Sequence, residues 1–184
     1  MSTTPARVRR LHSIDEARLG ELANVLIDCV EGGASVSFMQ PLTRERALDF
    51  WRGVADGVAR DERALLVVDD ARGVCGTVQL VLAQPENQPH RADVSKMLVH
   101  RRARRTGLGA ALMQAAEDTA LACGKSLLVL DTASDDAERL YERLGWQRVG
   151  TIPGFALLPE GGLCATTFFY RQLATPPATR DSSS

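Results

Sequence analysis

Residues 94–123 read VSKMLVHRRARRTGLGAALMQAAEDTALAC and combine a strand, a basic turn and a helix. The apolar run at 94–99 predicts the strand, and helical spacing over 108–123 predicts an amphipathic helix. The turn between them contains Gly107 and Gly109. The first N–H groups of a helix lack intrahelical partners, and glycine lets a ligand approach the backbone closely. This stretch therefore predicts an anion site at a helix N-terminus.

The basic turn differs from two common phosphate-binding motifs. It lacks the Gly-Lys-Ser/Thr ending of the NTPase P-loop. It also does not belong to a clean dinucleotide-binding repeat, in which an acidic residue ends a second parallel strand about twenty positions later. The turn therefore predicts neither an NTPase nor a dinucleotide-binding domain.

Helices and short strands flank this stretch on both sides. Ser13 and Glu16 match a capping box at the start of a first helix that ends at Gly32, and Thr43 can cap a second helix. Strands are predicted at 8–11, 64–68, 74–82, 126–130, 147–151 and 166–172, and a short helix at 135–144. For the helix after the basic turn, the predicted buried face is Leu108, Ala111, Leu112, Ala115, Ala116, Thr119 and Ala122. The order predicts an α/β (α+β) layered domain.

Composition is that of an ordinary soluble globular protein. The 184 residues are 45% hydrophobic and 24% charged, which suits one domain with a real core. We expect a single domain over residues 1–173 and a disordered tail over 174–184. A net charge of -1 gives no reason to expect a nucleic-acid partner. Because no segment resembles a signal peptide or reaches membrane-spanning length, we expect a cytoplasmic protein without a membrane partner.

The four cysteines are far apart and form no C-x-x-C pair. No histidine lies at zinc-ligand spacing from them. We therefore expect reduced thiols, mostly buried, and no metal site.

Two ordered motifs resemble the GCN5-related N-acetyltransferase (GNAT) family. Arg104, Gly107 and Gly109 match the family's phosphate loop, Arg/Gln-x-x-Gly-x-Gly/Ala. The later family signature matches in order at Ala137, Leu140-Tyr141 and Leu144-Gly145-Trp146. The resemblance covers most of the chain outside its termini. It implies the GNAT fold, which is a mixed, mostly antiparallel sheet with a splayed parallel pair at its centre and helices on both faces.

Three positions depart from the family pattern, and other segments resemble one group within the family. Arg101 stands in place of the usual proline, Arg105 in place of a glycine, and Ser134 in place of an asparagine. Residues 32–39, Leu130-Asp131-Thr132 and the Pro153-Gly154 turn resemble tabtoxin-resistance acetyltransferases, which acetylate a β-lactam amino-acid toxin.

The resemblance implies acetyl-CoA as acetyl donor. Its pyrophosphate should bind the backbone N–H groups of residues 105–110, and its pantetheine arm should run along the strand beside Leu98 and Val99. Arg104 and Arg105 would add positive charge. The cofactor-binding residues expected on this basis are Met97, Leu98, Val99, Arg104, Arg105, Thr106, Gly107, Leu108, Gly109, Ala110, Ser134 and Tyr141.

Three side chains are candidates for proton transfer. Tyr141 occupies the family's general-acid position, and its reference pKa of about 10 keeps it protonated at neutral pH; the alternative is a core tyrosine. Asp131 could accept the amine proton or hold the ammonium group; the alternative is a turn cap. Asp93 stands where many family members have a glutamate that acts through water; the alternative is a plain strand-end carboxylate. The N–H of Leu98 or Val99 is the candidate oxyanion donor.

Two nearby carboxylates favour a cationic acceptor, and we expect a small-molecule amine of amino-acid type. The resemblance implies that the N-terminal helical region forms the acceptor wall, so Phe38 and Met39 are expected to line it together with Asp131. Core packing is the alternative for both, although a Gly-Gly loop is an uncommon place for two adjacent large apolar side chains. Two other functions stay open: N-acetylation of a protein or peptide amine, and a non-catalytic module that binds acyl-CoA. A homodimer also stays open.

Overall fold

The computed structural model describes residues 7–173, which form one seven-stranded sheet with helices on both faces. The strands are β1 (Arg9–Leu11), β2 (Arg63–Asp70), β3 (Gly73–Val81), β4 (Arg91–Val99), β5 (Leu127–Thr132), β6 (Gln147–Leu157) and β7 (Leu163–Gln172). The helices are α1 (Glu16–Glu31), α2 (Arg44–Ala59), α3 (Leu108–Ala122) and α4 (Asp135–Arg143), with a short 3₁₀ turn at Arg101–Ala103. The predicted tail at 174–184 lies outside the described residues.

The sheet has the order β1-β2-β3-β4-β5-β7-β6, and all neighbours except one pair are antiparallel. The exception is the parallel pair β4 and β5, in which Arg91, Ala92 and Asp93 face residues 127–129. The rest of β4 separates from β5, so the backbone groups on that side of β4 lack a strand partner among residues 7–173. The predicted fold class is confirmed, including the splayed parallel pair at the centre of the sheet.

Each face of the sheet is covered by two helices. On one face, α1 and α2 bury Leu22, Leu26 and Trp51 against Leu65 and Val67 of β2. On the other face, α3 and α4 pack over a second cluster that includes Leu80, Leu112, Leu128, Tyr141 and Phe169. Removal of these apolar surfaces from water stabilises both layers and holds β4 and β5 between them. All four cysteines are free thiols as predicted, but two of them are buried and the other two are partly exposed, so fewer are buried than predicted.

The helix starts agree with the sequence in one case and differ in the other. Thr43 caps α2 as predicted, because its hydroxyl accepts a hydrogen bond from the N–H of Arg46 (3.3 Å). The prediction for Ser13 was wrong, because α1 is capped by Asp15, whose carboxylate accepts from the N–H of Arg18 (2.8 Å). Both residue types cap well, but a carboxylate also interacts favourably with the positive end of the helix dipole.

The buried face of α3 is rotated from the predicted alanine-rich face. Its buried residues are Leu108, Leu112, Met113, Ala116, Glu117 and Ala120. Glu117 is buried because the indole N–H of Trp146 donates to its Oε1 (2.9 Å). That partner is 29 residues away in the chain, so helical periodicity alone could not reveal it.

Candidate active site

A cleft of about 980 Å³ opens where β4 and β5 separate. The second half of β4 and the end of β5 form its floor, and α3, α4 and the loop between α1 and α2 form its walls. The cleft brings together most of the predicted site residues, namely Met97, Leu98, Val99, Arg104, Arg105, Gly107, Leu108, Gly109, Ala110, Asp131, Ser134 and Tyr141. Thr106 does not line it, and its hydroxyl instead donates to the carbonyl of Ala103 (2.7 Å) within the turn.

The start of α3 presents free backbone N–H groups to this cleft. Gly107 is the N-cap in a left-handed conformation (φ 85°), and the first intrahelical bond runs from Ala111 N to Gly107 O (3.1 Å). The N–H groups of residues 108–110 precede that bond. A Cβ built on Gly107 would meet nothing within 4 Å, whereas one on Gly109 would lie 3.0 Å from Leu140 Cδ2. Gly107 therefore leaves room for a ligand, and Gly109 lets α4 pack closely.

The arginines before this helix have two different roles. The backbone N–H of Arg101 donates to Asp28 Oδ2 (2.8 Å), and its guanidinium pairs with the same carboxylate. Arg102 pairs with Asp70 (2.7 Å). Its hydrogen bond holds the pKa of the Asp70 carboxyl below the ordinary value. Arg104 and Arg105 line the cleft, and Arg104 Nε also donates to Val99 O (3.1 Å). The first two therefore anchor the turn, and the second two supply charge to the site.

The register of β4 directs particular backbone groups into the cleft. The N–H of His100 donates to Cys75 O (2.9 Å) on β3. Because alternate residues of an antiparallel strand face the same neighbour, Leu98 bonds toward β3, and the N–H groups of Met97 and Val99 face the gap beside β5. This register favours Met97 and Val99 over Leu98 as backbone partners for a ligand.

Tyr141 lies at the boundary between core and cleft. Its ring packs near those of Trp146 (6.0 Å between centroids) and Phe169 (5.8 Å), and only 4% of the residue is exposed. Burial raises the pKa of the Tyr141 phenol well above its ordinary value, and the negative charge of Asp131 adds to the rise. The phenol is therefore protonated across the physiological pH range, as a proton donor must be.

The two predicted carboxylates have different surroundings. Asp131 lies near the end of β5 and lines the cleft, and its Oδ2 accepts a hydrogen bond from the hydroxyl of Thr166 (2.9 Å). Asp93 does not line the cleft; its carboxylate pairs with Arg91 and accepts from Gln84 Nε2 (3.2 Å). Its neighbour Val94 lines the cleft, and successive side chains of a strand point to opposite faces. The side chain of Asp93 therefore points away from the cleft. The predicted catalytic role of Asp93 is therefore not supported.

The predicted acceptor wall consists of different residues from those expected. Phe38 packs edge-on against Phe50 (5.3 Å) beside the first core cluster, and Met39 is 39% exposed; neither lines the cleft. The lining residues of this loop are 32–37. The loop is tied to the β6–β7 hairpin, because Gln40 N donates to Pro159 O (2.9 Å). The ring of Phe38 gains more from burial in the core than it would from lining an open cleft.

Lys96 is a site residue that the sequence reasoning missed. It lines the cleft at a bulge of β4, with a left-handed backbone (φ 51°), and its Nζ donates to Ser37 Oγ (3.2 Å). Loss of solvent lowers the pKa of the Lys96 ammonium, and the charge of Asp131 partly offsets this effect. The available signal was a lysine inside the otherwise apolar run at 94–99.

The described residues contain neither a metal-binding cluster nor a membrane-spanning helix. Between residues 7 and 173, no group of three or more His, Cys, Asp or Glu side chains could hold a metal ion. Over the same span, no helix has the length and apolar character needed to cross a membrane.

The match to a family model defines the class of protein. The model of the acetyltransferase (GNAT) family matches residues 31–146, which include the loop, the basic turn and Tyr141. The chain therefore belongs to the GNAT acetyltransferase family. It is an N-acetyltransferase, and acetyl-CoA is its acetyl donor.

Individual proteins give a finer comparison. An uncharacterised N-acetyltransferase in the hisH–hisA intergenic region of Azospirillum brasilense is 31% identical over 130 residues, which are 70% of this chain and 76% of that protein. A phosphinothricin acetyltransferase from Sinorhizobium meliloti, solved with acetyl-CoA, has a TM-score of 0.74 at 21% identity over 96% of this chain and 93% of its own. A ribosomal-protein-alanine N-acetyltransferase from Brucella melitensis has a TM-score of 0.76 at 20% identity over 91% and 99%.

At these identities the two solved structures show a shared fold only. The comparisons support the family and give no support to the narrower resemblance to tabtoxin-resistance enzymes, which stays a prediction.

Proposed function

We propose that the protein transfers the acetyl group of acetyl-CoA to the amine of a small, amino-acid-like molecule by direct attack of the amine on the thioester. The order of groups along one cleft carries this proposal. A free helix N-terminus at Gly107 lies at one end, and Asp131 lies near Tyr141 within the same cleft. The edge of β4 that has no strand partner among residues 7–173 connects the helix N-terminus to these two side chains.

At the donor end, the N–H groups of residues 108–110 would hold the pyrophosphate, with Arg104 and Arg105 adding charge. Hydrogen bonds to charged groups contribute roughly 1.5–3 kcal/mol each, so a few of them give firm anchoring. The N–H of Val99, the nearer of the two to the start of α3, would donate to the pantetheine arm in the way that a sheet edge pairs with an added strand. The space in front of Gly107 supports this fit.

At the acceptor end, two proton transfers are required. The amine is mostly ammonium at neutral pH, and Asp131 would hold it and accept its proton before attack. Tyr141, kept protonated by burial, would donate to the sulfur as the C–S bond breaks. A thiol with a pKa of about 8.5 needs only modest help of this kind. The N–H of Met97, the farther of the two from the start of α3, would donate to the carbonyl oxygen as negative charge develops on it.

Two observations support a small acceptor. The loop at 32–37 forms a wall of the cleft and is held to the β6–β7 hairpin, because Ser35 Oγ donates to Leu157 O (3.4 Å) and Gln40 N to Pro159 O. A wall fixed in this way would restrict the approach of a protein substrate. The sequence resemblance to tabtoxin-resistance enzymes favours an acceptor of the same small size.

Release of free thiol from acetyl-CoA tests this proposal. The acceptors should be free amino acids, L-phosphinothricin and short peptides at equal concentration. We expect turnover with free amino-acid-like amines and little with peptides. Turnover with peptides alone would instead favour protein acetylation, and CoA binding without turnover on any amine would favour a non-catalytic module. Failure to bind CoA would overturn the whole proposal.

A further inference from the structure

We infer that Lys96 binds a carboxylate of the acceptor, so that the substrate is a free amino acid or an analogue that keeps a carboxylate beside its amine. This inference rests on the proposed function and names the group that selects the acceptor. The amine would lie at Asp131 and the carboxylate at Lys96. A decarboxylated amine, an amino-acid ester or the interior of a peptide would lack the second contact.

A bulge places Lys96 in the cleft. Thr77 pairs with Leu98, but Gln79 pairs with Ser95, so β4 has one residue more than β3 between these pairs. Lys96 lies in this interval with φ 51°, a left-handed value that is uncommon for a lysine. Bulges commonly re-aim a side chain beside an active site, and this one places a cation among the cleft-lining residues.

The Lys96 ammonium has no anionic partner among residues 7–173. Its described contacts are the hydroxyl of Ser37 (3.2 Å) and the ring of Phe50, whose centroid is 5.7 Å from Nζ. Both partners are neutral, and an ammonium has three donors. No ion pair within residues 7–173 includes Lys96. A partly desolvated cation without an anionic partner is a suitable site for a ligand carboxylate.

Asp131 is the complementary charge. Its described side-chain partner is the neutral hydroxyl of Thr166, and it forms no ion pair within residues 7–173. Nevertheless the negative charge of Asp131 raises the pKa values of both Lys96 and Tyr141. Two opposite charges that face one space and do not pair with each other match the two charges of a zwitterion. The ammonium would then lie on the side of Tyr141, where the acetyl group is transferred.

The position of Lys96 along the cleft separates it from the donor phosphates. It precedes Val99 by three residues, or about 10 Å at about 3.3 Å per strand residue. The loop at 32–37 spans the same distance along the cleft. At its start, a Cβ on Gly32 would lie 3.6 Å from Arg104 Nη2, and at its end Ser37 contacts Lys96. Arg104 therefore belongs to the pyrophosphate end and Lys96 to the opposite end.

The test compares acceptors that differ in one group. The values of kcat/KM are measured for the proteinogenic L-amino acids, their methyl esters and their decarboxylated amines, in the wild type and in Lys96→Met. For the preferred amino acid, the wild type should favour the free acid over its ester by at least about 100-fold, because a site built for a polar group rejects an analogue lacking it. Lys96→Met should remove this preference, mainly by raising KM for the free acid, and Lys96→Arg should restore part of it.

Lys125→Met is the matched control, because it removes the other lysine of the chain. Lys125 donates to Leu82 O (2.9 Å) and Pro89 O (2.8 Å) and does not line the cleft.

Equal activity of the wild type on acids and esters would overturn the inference and leave the proposed function intact. An equal loss on all amines in Lys96→Met would also overturn it, because Lys96 would then act on the reaction or on the fold. No turnover on any amine would contradict the proposed function itself. If Lys96→Met does not fold, the wild-type comparison still decides.

Discussion

The two ends of the cleft are constructed in different ways. The donor end consists mainly of backbone groups from one contiguous stretch, residues 104–110. The acceptor end consists of single side chains from separate elements: Lys96 from β4, Asp131 from β5 and Ser37 from the loop between α1 and α2. A backbone site depends on helix geometry and glycine. Substitution of the surrounding side chains should therefore leave its recognition of the donor largely unchanged. A side-chain site can change its ligand through one substitution.

The largest effect should come from filling the donor end. Gly107→Trp should weaken CoA binding by at least about 100-fold, measured by titration calorimetry, because it blocks several charge-assisted hydrogen bonds of roughly 1.5–3 kcal/mol each. Gly124→Trp is the control, since Gly124 also has a left-handed backbone (φ 75°) with nothing within 4 Å of a Cβ, but lies beyond the other end of α3. Equal CoA affinities in the two variants would contradict a backbone-built donor end.

The next effect concerns the junction between the two ends. Tyr141→Phe should lower kcat by on the order of 100-fold, because it removes the proton donor to the leaving sulfur. The dissociation constant of CoA should stay near that of the wild type. Tyr170→Phe on β7, which alters the other tyrosine of the chain, should leave both quantities unchanged. If Tyr141→Phe had the kcat of the wild type, the role of Tyr141 would be core packing alone.

At the acceptor end, Asp131→Asn should lower kcat/KM for the amine about 10-fold or more, as expected when a proton acceptor is replaced by a neutral amide. CoA binding should persist, because the donor end uses other residues. Asp93→Asn provides the comparison, since its carboxylate lies off the cleft and contacts Arg91 and Gln84. If Asp93→Asn were the more damaging of the two to kcat/KM, the assignment of the acceptor end would be wrong.

The smallest effect tests the anchoring of the basic turn. Asp70→Asn should lower the free energy of unfolding by about 0.5–1 kcal/mol at pH 7 in urea, since its ion pair with Arg102 is partly exposed. The folded-state pKa of Asp70 is lowered, so the stabilisation is present above the unfolded pKa of about 3.9 and is lost as the pH falls through the folded value. The variant and wild type should therefore converge in acid. Asp118→Asn, at an exposed residue, should change stability little at either pH. A difference that persists in strong acid would point to another cause.

The contrast between the two ends also explains what the sequence could reveal. The strand, turn and helix around Gly107 are neighbours in the chain, so local rules predict both the elements and their anion site. Thr43 was identified as a cap for the same reason. Lys96 could not be identified, because its orientation depends on a bulge against β3. The side chains of Phe38 and Asp93 were wrongly predicted to lie in the cleft. Their actual partners, Phe50 and Gln84, depend on tertiary packing and on which face of β4 the Asp93 side chain occupies.

A crystal structure with CoA is the most direct test of the central claim. The diphosphate should accept hydrogen bonds from the N–H groups of residues 108–110, and the pantetheine arm should lie between the separated parts of β4 and β5. The thiol should then lie within reach of the Tyr141 hydroxyl, with Asp131 and Lys96 beyond it. A diphosphate bound away from the start of α3, or a thiol remote from Tyr141, would contradict the account.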